Sequence, residues 1–443
     1  MRTVIFRFLA LGLLLFVGVG LIGCKARQAA SGSGAGADSQ TAAVDSGAEP
    51  YADPYMAPRD AVVTPEGGKL TGNELVFGDA SGDTARNVYG TYTEGNGEVS
   101  GNTLTIKGGV ITDSAYGAYS NGWAKNNKVV ITGGKITDRL EGGHGRQGSQ
   151  GNEIVFAGGS AENAYGGYSA DGPADNNRLV LRGGTVKDDA QAGLSLRSSA
   201  SGNTLIMEGG VVEDQVYGGY GMEGPATGNT TIVSGGTIAD DAQGAVSSTH
   251  AATGNTLILR GSPKIGGSLY GAFAVGEYGD KPDDITGNKI LFEGFNGELG
   301  DIWNAETLNI DAESRIASRE SVLNFYDCRN VNNDGVIAAA QGVEVYFDTV
   351  DYGGKGRFEL APDASILMST GKLKAPLRIE IKAPGQLVPF SRALLVELRN
   401  IKLGAGLKPG TAVQLVSFTA GGLSLRLEHE EAGGSHYWYV SGQ

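Results

Sequence analysis

Between residues 66 and 300, apolar and polar positions alternate in short bursts that return at a fixed interval. Asparagine marks the interval, recurring at 73, 102, 127, 152, 177, 203, 229, 255 and 288, with steps of 29, 25, 25, 25, 26, 26, 26 and 33 residues. Two and four residues after the asparagine stand apolar pairs: Leu104/Ile106, Val129/Ile131, Ile154/Phe156, Leu179/Leu181, Leu205/Met207 and Leu257/Leu259. Alternation at period two predicts a strand with one buried face. At six and seven comes a Gly-Gly pair (108–109, 133–134, 158–159, 183–184, 209–210, 235–236), which predicts a turn with positive φ. Another apolar residue follows at nine: Ile111, Ile136, Val186, Val212 and Ile238. A third segment lies at about 13 to 17, seen in Tyr89-Gly-Thr-Tyr92, Tyr116-Gly-Ala-Tyr119, Tyr165-Gly-Gly-Tyr168 and Tyr217-Gly-Gly-Tyr220.

Three short strands and three turns in each interval predict one rung of a parallel β-helix. A single rung cannot bury its own apolar side, so rungs must stack at roughly 4.8 Å with like residue over like. The expected fold is all-β: a β-solenoid of about nine or more rungs of 25–26 residues, closed by a C-terminal β-rich cap. Nine rungs make a rod on the order of 40 Å long. The asparagines would then form a column whose amides bond one to the next. Helix is disfavoured because no window of the repeat region avoids glycine for long enough. A doubled period overlies the single one. Tyr165-Gly-Gly-Tyr168 returns at Tyr217-Gly-Gly-Tyr220 and Tyr270-Gly-Ala-Phe273, while the intervening rungs carry Asp188-Asp189-Ala190-Gln191 and Asp240-Asp241-Ala242-Gln243.

The chain's other parts lack this pattern. Arg2 and Arg7 precede an apolar run from Phe8 to Ile22, too short for a comfortable spanning helix. The run ends at Leu21-Ile22-Gly23-Cys24, which resembles the lipobox of bacterial lipoproteins. That resemblance implies a signal peptide over 1–23 and lipidation of Cys24, with acyl chains anchoring the protein to a membrane. Lys25 in place of aspartate implies the outer rather than the inner membrane. Residues 24–65, rich in Gly, Ser, Ala and Pro, read as a flexible linker. After 300 the asparagine period fades. Residues 301–372 read as irregular rungs, and 373–443 as a strand-rich capping region that closes the open solenoid end.

Composition narrows the function. The chain carries 73 glycines in 443 residues without a collagen period, consistent with the repeat. Loss of Arg2 and Arg7 with the signal takes the net charge from −14 to −16. Nucleic acid is therefore excluded as a partner, because its phosphates would be repelled. Beyond Cys24 only Cys328 remains, so no intramolecular disulfide is expected. Cys328 reads as a small buried apolar residue.

The Tyr-Gly-Gly-Tyr segments, with Gly-Asn-Thr-Leu-x-Ile-x-Gly-Gly-Thr-Val after a polar loop, resemble the passenger repeats of autotransporter adhesins over roughly 66–300. The tail segments Asn333-Asp-Gly-Val-Ile337, Leu407–Leu415 and Tyr437–Val440 resemble the ends of such passengers. No outer-membrane barrel follows them within the sequence, so self-translocation is not carried over. The resemblance implies a surface protein in adhesion or in contact with the cell envelope or matrix, and it names no ligand.

Candidate chemistry sits in columns. Asp113, Asp138, Asn163, Asp188, Asp214 and Asp240 all lie eleven residues after an asparagine. Stacked carboxylates would repel by about 1 kcal/mol per neighbour in water-like surroundings. Solvent, raised pKa values or a cation such as calcium would relieve them. Aspartate also suits a solvated turn, and the calcium-roll pattern Gly-Gly-x-Gly-x-Asp is absent. Tyr116, Tyr119, Tyr165, Tyr168, Tyr217 and Tyr220 form an aromatic ladder, suited either to packing or to a glycan or protein ligand. The loops Ser120–Asn126, Ala170–Asn176, Gly221–Thr227 and Val275–Thr286 would emerge on one corner as a further binding face. No catalytic residue and no cofactor is expected. Polysaccharide lyases and hydrolases do use the β-helix, and an active site would interrupt the repeat. One rung does so, with His144 among Arg139, Glu141 and Arg146, while His250, His429 and His436 read as surface residues. A non-catalytic surface protein and a carbohydrate-active enzyme are the two readings.

Overall fold

The computed structural model describes residues 60–62, 70–79, 82–274, 286–382, 390–418 and 425–442. The expected signal peptide, Cys24 and nearly all of the linker lie outside these residues. The described chain is a parallel β-solenoid of about 12 turns. Its α-helix amounts to the single turn Pro409–Ala412.

Each turn begins with the strand that follows the asparagine. Thr103–Ile106, Lys128–Ile131, Glu153–Phe156, Arg178–Leu181 and Thr204–Met207 pair in parallel and in register, like residue on like. Their second and fourth residues are buried and fill one continuous core. The Gly-Gly turn follows, and its second glycine is left-handed at every rung, as at Gly134 (φ 92°) and Gly184 (φ 76°). A two-residue strand then places Ile111, Ile136, Val186, Val212 or Ile238 in the core. The third strand carries the tyrosines.

A fourth strand was not foreseen. Val99–Ser100, Trp123–Lys125, Gly148–Gln150, Ala174–Asp175, Ala200–Ser201, Ala226–Thr227 and Ala252–Thr253 make a separate seven-stranded stack just before each asparagine. A turn therefore has four strands rather than three. Two residues with one small apolar side chain leave no readable period, so this stack exists only through its neighbours above and below. It also runs through the supposed loops 120–126, 170–176 and 221–227, pinning their C-terminal ends. Of the fourth loop, residues 275–285 lie outside the described residues.

The asparagine column forms as expected. Each buried asparagine donates both its backbone N–H and its Nδ2 to the Oδ1 of the next, as in Asn152 to Asn177 (3.0 and 3.0 Å) and Asn203 to Asn229 (3.0 and 3.0 Å). Nδ2 also bonds a carbonyl of the alanine-rich stack, such as Asn203 to Ala174 O at 2.8 Å. Each side chain thus joins two rungs and two faces of one rung. The residue before it is left-handed, usually glycine, with Asn126 (φ 54°) and Asn176 (φ 55°) in the same role.

The ladder also extends at both ends of the regular repeat. Ala61–Val62 already pairs with Val88–Tyr89, so the ladder starts before residue 66. Beyond 300 the ladder continues with shorter turns: Thr307, Asn330, Asp351 and Lys372 stand in register at steps of 23, 21 and 21 residues. Longer strands such as Val322–Asn333 and Glu344–Gly353 replace the bent ones. Aromatic side chains fill this core, with Phe325 stacked on Phe347 at 4.4 Å. Cys328 is buried there, and burial pushes its thiol well above the ordinary range. Parallel pairing ends where the antiparallel hairpin Leu425–Ala432/Ser435–Gly442 docks on Phe390–Leu398, burying Trp438 and Val440. Its outer strand carries Arg426, Glu428, Glu430 and Glu431, charges that discourage further edge pairing.

Candidate functional site

The tyrosine strand begins as an ordinary alternating strand. Ala115, Leu140, Ala164, Ala190, Val216 and Ala242 point into the core, so the residue after each points outward. The backbone then turns sharply inward at the following pair of small residues. A Cβ built on Gly193 would lie 2.3 Å from Asn203 Cγ, and one on Gly219 would lie 2.4 Å from Asn229 Oδ1. At these two positions only glycine admits so close an approach to the asparagine column, while Thr91, Ala118, Ala245 and Ala272 take the same place in other rungs. The inward bend lets residues three apart share the outer side. Tyr116 and Tyr119 meet edge to face at 5.6 Å, and Tyr217 and Tyr220 at 6.0 Å.

The face therefore carries two columns. The inner column runs Tyr89, Tyr116, Glu141, Tyr165, Gln191, Tyr217, Gln243 and Tyr270; the outer one runs Tyr92, Tyr119, His144, Tyr168, Leu194, Tyr220, Val246 and Phe273. The doubled period is physical: beyond Tyr116, tyrosine alternates with a carboxylate or amide in the inner column. Ring faces are covered by rung neighbours, as in Tyr89 on Tyr116 (4.9 Å, 7°) and Tyr119 on His144 (4.4 Å). Tyr116, Tyr165 and Tyr217 are only 7, 8 and 5 % exposed although they lie outside the core. Burial raises their phenol pKa values, and Tyr168 is pushed up to about 12, so these hydroxyls stay protonated donors at neutral pH. A ligand here would meet ring edges and phenols, chiefly from the half-buried outer column.

An acidic column flanks the tyrosines. Register corrects one member: Asn163 pairs with Arg139 and donates no carboxylate, because the rung of Asn152 is one residue short before its tyrosine. Glu162 takes that place, bonded through the backbone to Asp138 and Asp188. The column then reads Asp113, Asp138, Glu162, Asp188, Asp214 and Asp240. Asp188, Asp189 and Asp214 each bring a carboxylate oxygen within 4.8 Å of the others. Asp189 and Asp241, one residue further on, are the more buried acids. Both are raised to about 7, chiefly by burial and then by neighbouring carboxylates. Asp214 is raised to about 6, by burial and then by Asp188. Tyr217 donates its hydroxyl to Asp189, and Gln191 Nε2 lies 3.3 Å from the same carboxylate. The asparagine offset marks the acids that keep more contact with water and passes over Asp189 and Asp241, whose signal in the sequence is the repeated Asp-Asp pair.

The one charged interruption of the aromatic columns is compact. Glu141 is fully buried, with Oε2 2.8 Å from His144 Nδ1 and Oε1 3.4 Å from Arg139 Nη1 in an ion pair that lacks hydrogen-bond geometry. The Glu141 charge is the first cause of the raised Arg139 pKa. His144 is sandwiched between Tyr119 and Tyr168, at 4.4 and 4.6 Å. Arg146, grouped with them by sequence, instead bonds Asp171 on the neighbouring rung. His250 bonds Thr249 at the surface, and His429 and His436 pair on the terminal hairpin.

No protein family, no curated protein and no solved structure matches this chain. What it can do is read from these columns.

Proposed function

We propose that this chain is a non-catalytic, membrane-anchored surface lipoprotein that presents its tyrosine face for adhesion or for contact with envelope or matrix polymers. The observation that carries the reading is the pair of in-register aromatic columns beside a continuous acidic one. Such a face repeats every rung and suits an extended, repetitive partner better than a small molecule. Phenol donors and ring edges fit a polyhydroxylated glycan, while the acidic flank disfavours a polyanion and favours a neutral or basic one. The lipobox-like Gly23-Cys24 and the repeat resemblance to adhesin passengers support the envelope setting.

The test is a glycan array together with matrix-protein capture on the soluble 60–443 fragment. Tyr119, Tyr168 and Tyr220 changed together to Ala should remove binding while leaving the β-rich circular dichroism intact. Unchanged binding in that folded variant would refute the face. A second reading, a carbohydrate-active enzyme, rests on the Glu141–His144–Arg139 group as a lone ionisable break in the aromatic wall. Polysaccharide degradation that Glu141→Gln abolishes would favour it over the first.

A further inference from the structure

The terminal hairpin brings together three side chains of metal-binding chemistry far from the tyrosine face. Its turn, Gly433-Gly434, holds both residues at positive φ (59° and 81°), the conformation of a tight two-residue hairpin turn. The turn fixes the register Ala432 to Ser435 and Glu431 to His436. His429 and Glu431 are two apart on one strand and share a face, and His436 stands opposite Glu431 on the same face. His429 Nε2 and His436 Nδ1 are 3.2 Å apart, and Glu431 Oε2 is 3.8 Å from His436 Nδ1. Glu431 is well exposed, so the group opens to solvent. Trp438 lies against both imidazoles, with centroids 4.7 and 5.9 Å away.

We propose that His429, His436 and Glu431 form a binding site for a divalent transition-metal ion, with zinc as the reference ion. Two nitrogens bound to one tetrahedral zinc at about 2.0–2.1 Å stand roughly 3.4 Å apart, close to the separation already present. Rotation of the rings would aim both lone pairs at one point, and the exposed Glu431 carboxylate, beside His436 but not at ligand spacing from both imidazoles, would swing inward as the third ligand and leave a fourth position for water. Two imidazoles with one carboxylate suit zinc, nickel or copper and disfavour calcium, which takes oxygen ligands. A bound ion would tie the charged outer strand to its neighbour where the parallel ladder ends.

Untagged full-length chain, stripped with EDTA and desalted, should bind one zinc ion by titration calorimetry. Nickel or copper should quench the fluorescence of the adjacent tryptophan. His429→Ala with His436→Ala should abolish both responses. Glu431→Gln, at an exposed position that leaves folding unaffected, should weaken zinc by about tenfold or more, the factor that 1.4 kcal/mol represents. His250→Ala should change nothing. Absence of a zinc isotherm in the parent chain, an isotherm retained by the double variant, or equal affinity for calcium would each overturn the proposal.

Discussion

Asn203→Ala tests the asparagine column most directly. Asn203 is fully buried and accepts the backbone N–H and Nδ2 of Asn177 at 2.8 and 3.1 Å. It donates Nδ2 to Ala174 O and to Asn229 Oδ1 at 2.8 and 3.0 Å. Truncation leaves the Asn177 N–H without an acceptor in the dry interior, while Asn177 Nδ2 keeps Ser149 O at 3.2 Å. One orphaned donor costs about 1–3 kcal/mol, and each further lost bond about 0.5–1.5 kcal/mol. The loss should therefore total roughly 3–5 kcal/mol, a large part of ordinary domain stability. Asn203→Asp keeps the shape and the acceptor but turns an unpaired charge towards Ala174 O, so it should be at least as damaging. Urea and thermal unfolding of the 60–443 fragment measure both, with hydrogen exchange at the Asn177 amide as the local readout. Thr204→Ala, on the solvent side of the same strand, is the reference. A loss below about 1 kcal/mol for Asn203→Ala, or unchanged protection at Asn177, would refute the column as a source of stability.

The acidic cluster makes a pH prediction. Asp189 and Asp241 are raised to about 7 and Asp214 to about 6, so the folded chain holds protons that the unfolded chain has released. Their stabilisation is complete below about pH 4 and is lost as pH rises through 6 to 7, so the melting temperature should fall between pH 5 and pH 8. Asp189→Asn keeps an acceptor for Tyr217 and should remove on the order of 2–4 kcal/mol of that dependence; an unchanged pH profile would contradict the assignment. Asp188→Asn with Asp214→Asn should stabilise the protein slightly at pH 8, and calcium should act only as ionic strength. A calcium-specific rise in melting temperature, lost in that double variant, would instead place a cation in the column. Leu205→Asp, which sets a carboxylate between Leu179 and Thr231 in the core stack, should unfold the solenoid, with loss of the strand signal in circular dichroism as the check. Cys24→Ala should leave unprocessed precursor without acyl label; continued lipid labelling would refute the proposed anchor.

Much of the architecture follows from the chain alone, because a repeat writes each contact many times. The asparagine interval, the period-two apolar pairs and the Gly-Gly turns together specify parallel rungs, the buried face and the turn conformation. Each depends on residues within one interval, and stacking merely copies it. Other features depend on register between rungs, which no single interval contains. The two-residue alanine strands are too short to show a period and form only against their neighbours. Asn163 leaves the acidic column and Glu162 enters it because one rung is a residue short, a slip visible only once Arg139 and Asn163 are paired. Side-chain burial on the tyrosine face was equally out of reach. Tyr165 and Tyr217 lie outside the core yet are covered, because glycine lets the backbone bend inward and the rings above and below close over them. The same stacking covers Glu141 completely and buries Asp189 and Asp241 enough to raise their pKa values to about 7. Sequence thus decided which residues repeat and how each rung turns; only the stacked structure decided which side chains share a column and how much water each one keeps.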